Sequence, residues 1–151
     1  MYGFGRSALV RMSSISHGGW PHTEIDLIGL DSPQDVACQV VRQLLAGKVD
    51  EKRTDDVIQV AIELVNEAVA RAGEALSIRV DIHDWGVVIQ VCDSGEGSTA
   101  VTTQPSVANG DFENGRGVLR VHHLASAWRV QSDMVGRRVV AILLYRTGEL
   151  A

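Results

Sequence analysis

The sequence predicts an α+β domain. It reads as a two-layer α/β sandwich, with about three helices on one face of a mixed, mainly antiparallel sheet of about five strands. Three observations carry this reading. Two segments, Ser32 to Gly47 and Thr54 to Ala72, repeat apolar residues at helical spacing. Segments on either side of Asp84-Trp85-Gly86, and again on either side of Gly136, alternate or run apolar as strands do. The order strand, helix, helix, hairpin, polar loop, short helix, hairpin contains no internal repeat.

The elements follow in chain order. Residues 1–22 hold Gly3, Gly5, Gly18 and Gly19 with little periodicity, and read as a flexible N-terminal arm; residues 23–151 form the domain. Thr23 to Leu30 alternates in part and reads as a strand. Ser32 is placed to cap a helix, Pro33 suits its first position, and Asp35 stands where a capping-box acid would reach back. Val36, Ala37, Val40, Val41, Leu44 and Leu45 form its apolar stripe, and Gly47 stops it. Thr54 reads as the next cap, with Asp55 and Asp56 favoured by the helix dipole. The second stripe is Val57, Ala61, Leu64, Val65, Ala68 and Ala72, with Glu63 and Glu67 off its centre. Ile78, Val80 and Ile82 alternate with Arg79 and Asp81, and Val87 to Cys92 runs apolar, so Asp84-Trp85-Gly86 turns a hairpin. Ser98 to Asn114 is polar and long for a loop in a compact domain, which suits a functional segment. A short helix through Val121 and Leu124 follows, then strands Trp128 to Asp133 and Arg137 to Tyr145.

Length and charge exclude several classes. The 151 residues suffice for one domain. A net charge of -5 argues against a nucleic-acid binder held by phosphate contacts. No apolar run approaches the roughly 18 residues of a membrane helix, and residues 1–22 carry no secretory pattern. Cys38 and Cys92 sit in apolar runs and read as buried free thiols in a reducing cytoplasm. Neither zinc-ligand spacing nor a helical His pair is present: His122 and His123 are adjacent and point about 100° apart. Trp128 reads as core.

Three local features carry chemistry. Glu63-Leu64-Val65-Asn66-Glu67-Ala68-Val69 lies on the long helix, and Asp93-Ser94-Gly95-Glu96-Gly97 follows the first hairpin. Asn114-Gly115-Arg116-Gly117-Val118 opens the short helix. A carboxylate ending an apolar strand is costly unless partnered, and it can accept an exocyclic amine of adenine. Gly95 and Gly97 permit a sharp turn and close approach of a flat ring. Gly115 and Gly117 lead into a helix N-terminus suited to phosphate, where Arg116 adds a cation. Taken singly, each is more often a turn or a solvated face; their order is the specific signal.

That order resembles the GHKL (Bergerat-fold) ATPase superfamily, and within it the small anti-sigma-factor serine kinases. The resemblance spans residues 24–145, with the Glu63 helix as N-box, Asp93 to Gly97 as G1 box, Gly115 to Leu119 as G2 box and Gly136 to Val140 as G3 strand. It implies ATP and Mg²⁺ as cofactors. Asp93 would bind the adenine amine with Gly95 and Gly97 shaping the pocket, and Gly115, Arg116 and Gly117 would hold phosphate. Glu63 would be the general base, and residues 98–114 the lid. It also implies a cytoplasmic homodimer that binds a sigma factor and phosphorylates an anti-anti-sigma partner. Two positions depart from the family pattern. Glu67 stands where the family has a Mg²⁺-holding Asn, with Asn66 one residue early, and Glu67 is the candidate metal ligand in its stead. Arg137 or Arg138 stands where the last box carries Thr. These departures leave a second reading open: a non-catalytic interaction module of the same fold, with weakened or lost ATP and Mg²⁺ binding.

Overall fold

A computed structural model describes residues 12–17, 20–95, 102–103, 121–132 and 134–145. Strands β1 (Met12–His17) and β2 (Trp20–Asp26) precede helices α1 (Pro33–Leu45) and α2 (Glu51–Ala72). Strands β3 (Ala75–Ile82), β4 (Gly86–Asp93), β5 (Thr102–Thr103), β6 (Ala127–Ser132) and β7 (Arg137–Leu144) complete the order. The sheet runs β1-β2-β3-β4-β7-β6-β5, and every strand pairing among the described residues is antiparallel. The five strands expected from sequence form its centre. The short edge strands β1 and β5 bring the number to seven, and the expected mixed pairing is all antiparallel among the described residues. Residues 121–124 form one helical turn, the described end of the expected third helix.

Period two sorts the sheet into faces. Ile78 and Val80 of β3, Val87, Ile89 and Val91 of β4, Val139, Ala141 and Leu143 of β7, and Trp128 and Val130 of β6 are buried. They join Val36, Ala37, Val40, Val41 and Leu45 of α1 and Val57, Ala61, Leu64, Val65 and Ala68 of α2 in one core. Each fully buried Val, Leu or Ile contributes about 1.5–3 kcal/mol, which is how small aliphatic side chains hold a domain poor in aromatics. The two helices pack on each other and on β3, β4 and β7.

Several boundaries differ from the sequence reading. The expected arm ends too late, because β1 and the start of β2 lie within residues 12–22 and pair from Met12↔Ile25 to His17↔Trp20. Met-Ser-Ser-Ile-Ser-His has weak apolar alternation, and an edge strand needs little, since ladder hydrogen bonds hold it on one side. The α2 start lies at Glu51, because Asp50 is the cap: its Oδ1 accepts the Arg53 N–H at 2.9 Å. Thr54 is instead a buried helix residue. Ser32 occupies the α1 cap position without a side-chain cap bond. Arg53 fastens the start of α2 to the end of β7, its Nε donating to the Leu144 carbonyl at 3.1 Å and its Nη1 to Asp56 at 2.9 Å. The two cysteines are free but half-buried, where full burial was expected. Trp128 is core as expected. His122 and His123 are exposed.

Candidate functional site

The site is built where two strand ends meet α2. Asp93 is the last residue of β4 and lies directly opposite Arg137, the first residue of β7. Strand parity places 93 with 87, 89 and 91, and 137 with 139, 141 and 143, so both side chains enter the helix-covered face. They are only 2% and 1% exposed. A buried charge survives only with close partners, and here they are at hand. Arg137 Nη1 donates to Asp93 Oδ2 at 3.1 Å and to Glu67 Oε1 of α2 at 2.8 Å. Arg71, one turn beyond Glu67, places its Nε 3.4 Å from Glu67 Oε2. Two carboxylates thus face two guanidinium groups at one end of the sheet. Burial pushes the Glu67 carboxyl above its ordinary pKa, and the negative charge of Asp93 adds to this; Arg137 and Arg71 pull it back down.

The backbone after β4 completes the arrangement. The Gly95 N–H donates to Asp93 Oδ1 at 2.7 Å, an Asx-type turn that fixes the carboxylate plane. Gly95 has φ +84°, and a Cβ there would lie 3.2 Å from Gly136 Cα. A Cβ on Gly136 would clash with the Asp93 carbonyl oxygen. Both glycines therefore serve the close crossing of the 93–95 turn over the start of β7.

Among the residues expected from sequence, the structure brings Asp93, Gly95 and Glu67 together. Glu63 lies one turn N-terminal of Glu67 on α2, half-buried, its Oε2 accepting from Gln59 Nε2 at 3.2 Å. Gly97, Gly115, Arg116 and Gly117 lie outside the described residues, as does the expected lid apart from residues 102–103. Glu67 is not at the margin of the apolar stripe, as the sequence suggested, but 5% exposed. The residue that sequence reasoning undervalued is Arg137. It drew notice only as a departure from a Thr, although its parity with Val139, Ala141 and Leu143 already points it inward.

The residues present do not fit Mg²⁺ at Glu67. Magnesium demands near-octahedral oxygen ligands and keeps several waters. Glu67 is buried and both its oxygens face guanidinium groups. Among the described residues no group of three His, Cys, Asp or Glu side chains could hold a metal ion. No described helix is long and apolar enough to cross a membrane.

These features define the class. A family model described as a histidine kinase-like ATPase domain matches residues 32–143, from the α1 cap to the penultimate residue of β7, and the chain belongs to that family. Membership agrees with the GHKL superfamily and suggests ATP binding. No curated protein matches the chain, and no solved structure does.

Proposed function

We propose that the chain is an ATP-binding regulatory protein of the anti-sigma-factor serine-kinase type, with Asp93 as acceptor for the adenine amine. The observation that carries this is the buried Asp93 carboxylate at the end of β4. It is held from both sides by the Gly95 N–H and Arg137, within the span of a histidine kinase-like ATPase domain. Each carboxylate oxygen has two lone pairs, so one donor on each leaves acceptor capacity for an amine. The remaining assignments rest on the resemblance. Gly97 shapes the base pocket, and Gly115, Arg116 and Gly117 hold phosphate at a helix N-terminus. Bound ATP supplies the transferable γ-phosphoryl group. Glu63 orients a partner's serine hydroxyl and accepts its proton, since phosphoryl transfer is largely positioning and charge stabilisation. The reading includes a cytoplasmic homodimer, a sigma factor as bound partner and an anti-anti-sigma protein as substrate.

A second reading is favoured by the Glu67–Arg137 ion pair. A site whose metal-side carboxylate is held by a guanidinium suits a nucleotide-binding interaction module without phosphoryl transfer. The test is calorimetric ATP binding by the full chain and by Asp93→Asn, followed by phosphate transfer to co-purified partners. ATP binding lost in Asp93→Asn supports the pocket; unchanged affinity removes it. Transfer abolished by Glu63→Ala supports the kinase, and absence of transfer with binding intact supports the module.

A further inference from the structure

We infer that Arg137 is the resident cation of this site: it positions Asp93 for its ligand, and Glu67 is its counter-ion, not a divalent-metal ligand. This rests on the reading of Asp93 as a nucleotide-base acceptor. The ion-pair arrangement itself stands on geometry.

Arg137 comes from a strand start, Asp93 from the neighbouring strand end and Glu67 from mid-helix, so three separate elements converge on one guanidinium nitrogen. That nitrogen donates at 2.8 Å to Glu67 and 3.1 Å to Asp93. Side-chain exposures of 2%, 3% and 2% for Arg137, Glu67 and Asp93 remove the solvent screening that weakens surface pairs. With Glu67 absent, Arg137 would balance Asp93 alone. With Arg137 absent, two buried carboxylates would repel each other across the α2–sheet interface. The two residues therefore depend on each other, and the appearance of both in one chain has a physical reason. A dication at Glu67 would approach Arg137 and Arg71 with like charge and would have to strip both from the carboxylate.

The consequence for ligand binding is specific. Asp93 has one oxygen held by the Gly95 N–H and the other by Arg137. Its acceptor directions are thus fixed before a ligand arrives, and preorganisation of this kind lowers the ordering cost of binding. Arg137 acts through Asp93 and is a positioning residue.

The experiment uses the full chain, wild type and the variants Glu67→Gln, Arg137→Lys, Arg137→Met and Glu67→Gln/Arg137→Met. ATP affinity is measured calorimetrically in Mg²⁺ and in EDTA, and thermal midpoints are read without nucleotide. In EDTA, Arg137→Met should weaken ATP by about tenfold or more, with Arg137→Lys retaining more of the affinity because it keeps a cation. If Arg137→Met does not fold, the double variant, which removes a charge of each sign, is compared in its place. The factor by which Mg²⁺ changes ATP affinity should be the same in wild type and Glu67→Gln within about twofold. The thermal midpoints should be non-additive, the double variant melting higher than the two single losses sum to. Loss of Mg²⁺ coupling in Glu67→Gln, or unaltered EDTA affinity in the Arg137 variants, overturns the inference. If the wild type binds no ATP, the nucleotide reading fails by itself. The ion pair is then decided by the thermal cycle alone, additivity overturning it.

Discussion

Arg137 has the most to lose from substitution of any single residue in the site. Removing one partner of a buried ion pair costs about 3–5 kcal/mol, and Arg137→Met takes the cation from Asp93 and leaves Glu67 with Arg71 alone. We expect urea unfolding of Arg137→Met to show a loss at or above that range, and a loss under about 1 kcal/mol would contradict the buried arrangement. Glu67 adds a pH signature. Its folded pKa lies above its unfolded one, so the folded state holds the proton more firmly. Its contribution to stability is full below the ordinary carboxyl value and is lost as pH rises through the raised value. The stability of wild type minus that of Glu67→Gln should therefore fall as pH rises from about 4.5, the ordinary value. A difference that climbs instead would reverse the sign of the burial effect. Asp93 was legible in sequence as the acid ending an apolar strand. Arg137 was legible only in its inward parity with Val139, Ala141 and Leu143, because the role of a charged residue beginning a strand is not defined until its partner across the sheet is known.

At the scale of elements, helices and central strands were plain because period 3.6 and period two are written directly in side-chain type. Val57, Ala61, Leu64, Val65 and Ala68 of the α2 stripe and Ile78 and Val80 of β3 are buried as their spacing predicts, while Ala72 and Ile82 at the element ends are half-buried. What escaped was decided by backbone. Asp50 displaced Thr54 as cap, and β1 is held at an edge by ladder pairing that leaves little pattern. The turn after β4 is also a backbone matter. Gly136→Ala would push a Cβ against the Asp93 carbonyl oxygen, so the strand ends must part. We expect that variant to lose stability and, with Asp93 displaced, ATP binding together. Ala at Gly136 with both properties retained would show that the close crossing is dispensable. In the core, Leu64→Ala removes a fully buried side chain of α2 and should cost about 2–5 kcal/mol by chemical unfolding. Because Leu64 lies three residues before Glu67, a shift in that helix would also be read as weakened ATP binding.

Among the described residues, the buried charges Asp93, Arg137 and Glu67 gather at one end of a core built mainly of aliphatic side chains. The sheet delivers Asp93 and Arg137 from adjacent strands, and α2 crosses above them with Glu67. The overall charge of -5 opposes a polyanionic ligand, so any nucleotide affinity must come from local groups and not from long-range attraction. Binding that depends on a preformed local site should stabilise the fold by mass action, about 2.7 kcal/mol at a ligand concentration 100 times Kd. The most direct measurement compares ATP with inosine triphosphate, which carries a carbonyl oxygen where adenine carries its amine. A hydrogen bond to a charged acceptor is worth about 1.5–3 kcal/mol, so wild type should prefer ATP by at least about tenfold, with the preference abolished in Asp93→Asn. Equal affinity of the wild-type chain for the two nucleotides would contradict the assignment of Asp93 as the amine acceptor.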